Sequence, residues 1–146
     1  GCDPAVQDLA GIVVAEALAG EGAGGGVILA AHGSSRSPAP AEVAGAVAAL
    51  VAQRLGRPVA VGFIEQAPRL EDLAGFGAGS LCLPYFAASG GHVEEDLPRA
   101  LARAGFGGRI LPALGLDPRV PGLVAAATGR ADPVQGSARP AQTVWR

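Results

Sequence analysis

Apolar residues gather in four short runs, separated by longer stretches in which apolar and polar positions mix at helical spacing. Val27-Ile28-Leu29-Ala30-Ala31 predicts a first strand; residues 58–64, 80–84 and 109–112 predict three more. None of the four alternates strictly between apolar and polar, and such runs suit strands covered on both faces. The intervening pattern predicts helices over residues 40–55, 68–73, 93–104 and about 118–127. Strand–helix alternation of this kind implies an α/β fold: a doubly wound, four-stranded, mainly parallel sheet of flavodoxin-like order 2-1-3-4 with helices on both faces.

The boundaries carry their own signals. Asp117-Pro118 reads as a helix cap followed by proline in the first turn. Gly56, Gly105 and Gly115 stand where helices or strands should stop. Glu94, Glu95 and Asp96 fall in the first turn of their helix, where the helix dipole favours anions.

The two ends divide from the middle. Residues 27–127 hold the whole strand–helix pattern, and residues 128–146 read as a tail, or as a strap docked by Trp145. Residues 1–26 read as a helix followed by a Gly-rich linker. Gly1-Cys2-Asp3-Pro4-Ala5-Val6 echoes Gly115-Leu116-Asp117-Pro118-Arg119-Val120, with Leu9 and Leu123 in register. Either Asp-Pro caps recur here by chance, or residues 1–26 end a preceding, related domain. The lack of any Met agrees with the second reading.

Composition narrows the class. Of 146 residues, 49% are apolar and 16% charged, which places the chain among globular domains. A formal charge of −2 without a basic stretch gives no reason to expect nucleic acid. No apolar run is long enough for a membrane helix and no signal peptide is visible, so the expectation is a cytoplasmic chain without a membrane partner. Two cysteines make no disulfide framework, and Cys82, inside an apolar run, reads as a small buried residue. Every basic residue is Arg, a side chain that pairs bidentately with carboxylates and phosphates.

In an open parallel sheet, ligands bind beyond the carboxyl ends of the strands. Both histidines of the chain fall on that edge: His32 directly after the first strand, His92 in the loop after the third. In the expected order these strands are neighbours, about 4.8 Å apart. Two imidazoles without a Cys partner would hold a divalent metal with open positions, which suits an ion that is handed on. Glu65 ends the second strand on the same edge, where a carboxylate accepts a proton or assists the metal. Gly33, Gly90 and Gly91 allow close backbone approach to a ligand; Ser34, Ser35 and Arg36 offer hydrogen bonds to carboxylates. Phosphate cradling by the His32-Gly33-Ser34 loop is a competing reading, although the Gly-Lys-Ser/Thr of a P-loop is lacking.

These segments together resemble the sirohydrochlorin chelatase family, the class II chelatases of cobalamin and siroheme synthesis. The resemblance rests on His32-Gly33-Ser34, Gly62-Phe63-Ile64-Glu65, Leu83-Pro84-Tyr85-Phe86, and above all on Gly90-Gly91-His92-Val93-Glu94-Glu95-Asp96-Leu97-Pro98. It implies a chelatase-like fold and insertion of Co²⁺ or Fe²⁺, as substrate, into sirohydrochlorin, without an organic cofactor. It implies that His32 and His92 bind metal and take pyrrole protons, with Glu65 assisting. It implies a homodimer or a second related chelatase half as partner. The chain departs from the family's Arg-Asp-Pro after the serine, reading Ser35-Arg36-Ser37-Pro38 instead. The alternative is a metal- or tetrapyrrole-binding half that does no chemistry itself.

Overall fold

The run Val27–Ala31 forms strand β1, buried at all five positions and central in the sheet. The computed structural model describes residues 3–21, 25–86 and 90–130, the side chains of Glu21, His92, Val93 and Arg130 excepted. Strands β2 (Val59–Phe63), β3 (Leu81–Pro84) and β4 (Arg109–Ile110) complete a four-stranded sheet of order β2-β1-β3-β4. Every pairing is parallel, as the strand–helix alternation predicts.

The alternation of side chains along β1 sorts the core into two layers. Val27, Leu29 and Ala31 face one layer, Ile28 and Ala30 the other. Strand β3 follows the same rule, with Leu81 and Leu83 on the first side and Cys82 on the second. Helices α1 (Pro4–Glu21), α2 (Ala39–Leu55) and α4 (Val120–Arg130) cover the first layer. Helix α3 (Leu97–Arg103) and the 3₁₀ turn Leu70–Asp72 cover the second.

Helix α2 buries Ala44, Val47, Ala48 and Val51, the i, i+3, i+4, i+7 stripe of one helix face. Gly56 ends it with φ 65°, and its N–H and that of Arg57 both close on the Ala52 carbonyl. Helix α1 sinks Leu9, Ala10 and Val14 into the same layer, so the predicted N-terminal helix packs on this domain's own core. Arg119, at the start of α4, grips Glu16 of α1 at 2.9 Å and Asp117 at 2.8 Å. Asp117 also accepts the Arg119 N–H at 2.9 Å, which is the capping role its Asp-Pro sequence announces.

Three elements differ from the expectation. Residues 68–73 form only the 3₁₀ turn Leu70–Asp72, because Arg69 and Leu73 on either side are extended and leave room for a single turn. Residues 109–112 pair over just Arg109–Ile110. The helix expected over 93–104 is split into a five-residue π-helical turn, His92–Asp96, and α3. Pro98 supplies a reason: without an N–H it cannot bond the Glu94 carbonyl, so the α-helical ladder is broken at that step. The tail expected from residue 128 begins as the end of α4, where the Thr128 hydroxyl donates to the Ala125 carbonyl at 2.8 Å. Beyond Arg130, Trp145 included, it lies outside the described residues. Among the described residues no helix is long and apolar enough to cross a membrane.

Two predictions follow from burial and charge. Burial pushes the Cys82 thiol from about 9 up to about 12. Between those values the unfolded chain has lost a proton that the folded chain keeps, so stability falls as pH rises through that window. Urea unfolding across the window should show this loss, and Cys82→Ala should remove its share; identical pH slopes in both proteins would contradict it. The Arg119 guanidinium holds the Glu16 and Asp117 carboxyls below their ordinary values. That contribution is present above the unfolded carboxyl values and lost as pH falls through the folded ones. In Arg119→Ala, NMR should find both carboxyls titrating at higher pH; unchanged titrations would count against the clasp.

Candidate active site at the carboxyl edge of the sheet

The parallel ladder between β1 and β2 ends with Ala31 opposite Phe63, but its hydrogen bonds continue past both strands. The Ile64 N–H donates to the Ala31 carbonyl at 3.1 Å, and the Glu65 N–H donates to the His32 carbonyl at 3.0 Å. His32 and Glu65 are therefore held at the same height on neighbouring strands, and their side chains meet: His32 Nε2 lies 3.6 Å from Glu65 Oε1. Both remain partly open to solvent, at 39% and 48% exposure.

The other ring nitrogen has a different partner. His32 Nδ1 lies 3.1 Å from the Gly33 carbonyl oxygen. A carbonyl only accepts, so this contact requires the proton on Nδ1 and leaves the Nε2 lone pair directed to the carboxylate side. A neutral His32 in this tautomer presents Nε2 as base or metal ligand, with Glu65 beside it to stabilise the imidazolium or share an ion.

The loop that follows is built by its own small residues. Gly33 adopts φ 76°, the left-handed region that favours glycine. The Ser34 hydroxyl oxygen accepts the Arg36 and Ser37 N–H groups at 3.1 and 3.2 Å, a turn that leads into α2. Ser34, expected to meet substrate, thus serves the loop's fold first; Ser35 and Arg36 are exposed beside it. The Ser34 N–H donates at 2.7 Å to Gln66 Oε1, a partner that no motif singles out. Only proximity to Glu65 marks Gln66 in the chain, because its partner is 32 residues away.

On the other flank of β1, Tyr85 N–H donates to the Ala30 carbonyl at 2.7 Å, so the segment after β3 leaves from the same edge. Gly90 and Gly91 are exposed, and the Gly90 carbonyl accepts the Glu94 N–H at 2.8 Å as the π-helical turn begins. The backbone of His92 opens that turn; its side chain, and with it the expected pairing of the two imidazoles, lies outside the described part. Among the described residues no group of three His, Cys, Asp or Glu side chains is arranged to hold a metal ion. The His32–Glu65 pair offers two potential donors on an open edge.

An apolar hollow of about 380 Å³ opens near this edge, lined by Tyr85, Phe86, Leu114, Gly115 and residues of α1 and α4. A second, of about 220 Å³, lies between the 3₁₀ turn and α3, and Arg69, Arg99 and Arg103 border it. Neither includes His32 or Glu65.

The chain is similar to known proteins in sequence and in fold. The sequence profile of the CbiX family matches residues 26–131. The sirohydrochlorin cobaltochelatase of Methanothermobacter thermautotrophicus is 35% identical over 82 residues, which cover 52% of this chain and 57% of that protein. The structure of CbiX described as the terminal enzyme for biosynthesis of siroheme in denitrifying bacteria superposes with a TM-score of 0.82 at 40% identity. That match takes in 90% of this chain and 59% of the other. A putative cobalamin (vitamin B12) biosynthesis CbiX protein from Marinobacter aquaeolei VT8 superposes with a TM-score of 0.54 at 24% identity, over 70% of this chain and 92% of that one, and shares the fold. The chain spans less than two thirds of the length of the first two relatives. With more than half of its residues matched by the family profile, and the fold matched by the solved structures, this chain belongs to the CbiX family.

Proposed function

We propose that this chain inserts a divalent metal ion, Co²⁺ or Fe²⁺, into sirohydrochlorin, with His32 and His92 binding the ion and His32 and Glu65 handling the protons. The observation that carries the proposal is the His32–Glu65 contact at the carboxyl end of the central strand, 3.6 Å long and open to solvent. The metal is a substrate here, and so is the macrocycle. As M²⁺ enters the ring, two pyrrole N–H protons leave, so the charge at the ring centre is unchanged. A base must stand at that face. Once the ion has passed from His32 Nε2 to the ring, that nitrogen, unprotonated in the tautomer that the Gly33 carbonyl selects, takes one proton; the adjacent carboxylate stabilises the imidazolium that forms, and the second proton passes to solvent at the open edge.

Magnitudes decide how strongly. A pair this exposed is worth about 0.2–1 kcal/mol, so Glu65 biases the proton toward His32 without trapping it. Weak retention suits turnover, because both the proton and any metal held at the edge must leave. Ser35, Arg36 and the backbone at Gly33, Gly90 and Gly91 are proposed to meet the macrocycle's carboxylates.

A second related half is proposed as partner. The sequence echo at Asp3 and Asp117 supports it, because the two sites make the same turn: Asp3 Oδ1 accepts the Ala5 N–H at 2.8 Å as Asp117 Oδ1 accepts that of Arg119 at 2.9 Å. The greater length of two relatives is consistent with it.

Metallation of sirohydrochlorin, followed by its absorbance with Co²⁺ and with Fe²⁺, tests the proposal. His32→Ala and His92→Ala should each lose at least about 100-fold in rate while keeping the wild-type circular dichroism. Wild-type-like rates in either variant would remove that residue from the mechanism, and tetrapyrrole binding without metallation by the wild type would leave a carrier instead. Glu65→Gln should slow the reaction by only about two- to fivefold, the rate equivalent of an exposed ion pair. A loss as large as that of His32→Ala would show Glu65 to be a ligand or base in its own right.

A further inference from the structure

We propose that Gln66 is a positioning residue of this site and that it acts on His32 through a single peptide group. The peptide that joins Gly33 to Ser34 is held at both of its polar ends. Its carbonyl oxygen, that of Gly33, lies 3.1 Å from His32 Nδ1. Its N–H, that of Ser34, donates to Gln66 Oε1 at 2.7 Å. The amide oxygen must be the atom that faces Ser34, since an N–H needs an acceptor. Rotation of this peptide would break both contacts together. Gln66 thus fixes the plane of the group whose carbonyl holds the proton on Nδ1, and thereby keeps Nε2 as the basic nitrogen beside Glu65.

Packing makes the arrangement specific. The Gln66 side chain lies against the bare face of Gly33: a Cβ on Gly33 would come within 2.7 Å of Gln66 Cγ and 2.9 Å of Oε1. Gly33 holds a left-handed φ of 76°, a conformation that a residue with a Cβ rarely adopts. The loop that carries Gln66 is itself anchored at both ends. Phe63 N–H donates to the Pro68 carbonyl at 2.9 Å, and Arg69 Nη1 donates to the Ile64 carbonyl at 3.3 Å. The amide therefore projects from a closed loop whose position is set by β2, and half-burial shields the 2.7 Å bond from water. Glu65 and Gln66, consecutive in the chain, address the two sides of one imidazole: the carboxylate meets Nε2, and the amide governs the partner of Nδ1.

The role in turnover rests on the proposed function of His32; the effect on the ring does not. Two readouts keep them apart. Long-range ¹H–¹⁵N NMR of the histidine rings, at a pH where they are neutral, reports the tautomer directly. Wild-type protein should show His32 protonated on Nδ1. Gln66→Met, of similar size but without the acceptor, should shift His32 toward a mixture with the Nε2-protonated form, and Gln66→Glu, which keeps an acceptor, should restore the wild-type signature. In metallation assays Gln66→Met should lower kcat about tenfold, with KM for sirohydrochlorin unchanged and Gln66→Glu recovering most of the rate. An unchanged His32 tautomer in folded Gln66→Met overturns the inference whatever the assay shows. The tautomer shift in Gln66→Met, together with a wild type that metallates nothing, would uphold it and sink the chelatase reading alone.

Discussion

The parallel register of β1 against β2 is the constraint on which the site depends. It sets Ala31 beside Phe63, and two further hydrogen bonds carry the alignment beyond the strands to His32 and Glu65. A slip of one residue would turn one side chain of the pair away from the other and move the apolar set of β1 between the two core layers. The burial of all five β1 residues, on both faces, is therefore what fixes the chemistry at the edge. Core packing and site geometry are the same fact seen at two ends of one strand.

At that edge His32 and Glu65 meet within reach of solvent. The imidazole and the carboxylate are partly solvated, and they supply two donors without a described third. A structural metal site closes its coordination with four protein ligands, whereas an ion that must pass into a macrocycle needs positions left open. The arrangement also separates tasks by atom: Nδ1 is committed to the loop backbone, and Nε2 faces the carboxylate. Rigidity comes from neighbouring polar groups, among them the Ser34 hydroxyl closing the turn into α2 and the Gln66 amide closing the loop from the side.

Much of this was legible in the amino-acid order. Continuous apolar runs marked β1, β2 and β3, and the strand–helix alternation gave the parallel sheet and the central place of β1. The site's first two members were legible because they immediately follow strands: His32 after β1, Glu65 after β2. Other features were not. The π-helical turn at His92–Asp96 carries the same acidic, helix-starting composition as an α-helix, and the effect of Pro98 on the ladder appears only in three dimensions. β4 contracted to two residues because pairing, not apolarity, defines its length. Gln66 escaped notice because a side chain that satisfies a backbone N–H 32 residues away leaves no periodic or motif signal. The Ser34 hydroxyl oxygen also accepts the N–H groups of the turn it initiates, a role that leaves no motif in the sequence.

The central claim is that imidazoles from two loops at one sheet edge grip the same ion. The chain has just two histidines, so their ring signals can be followed together while Co²⁺ is added. Paramagnetic broadening of both rings in parallel, complete at one equivalent of Co²⁺ and absent from residues on the opposite edge of the sheet, is the result this account predicts. Broadening of one ring alone, or of the two at separate equivalents, would contradict it.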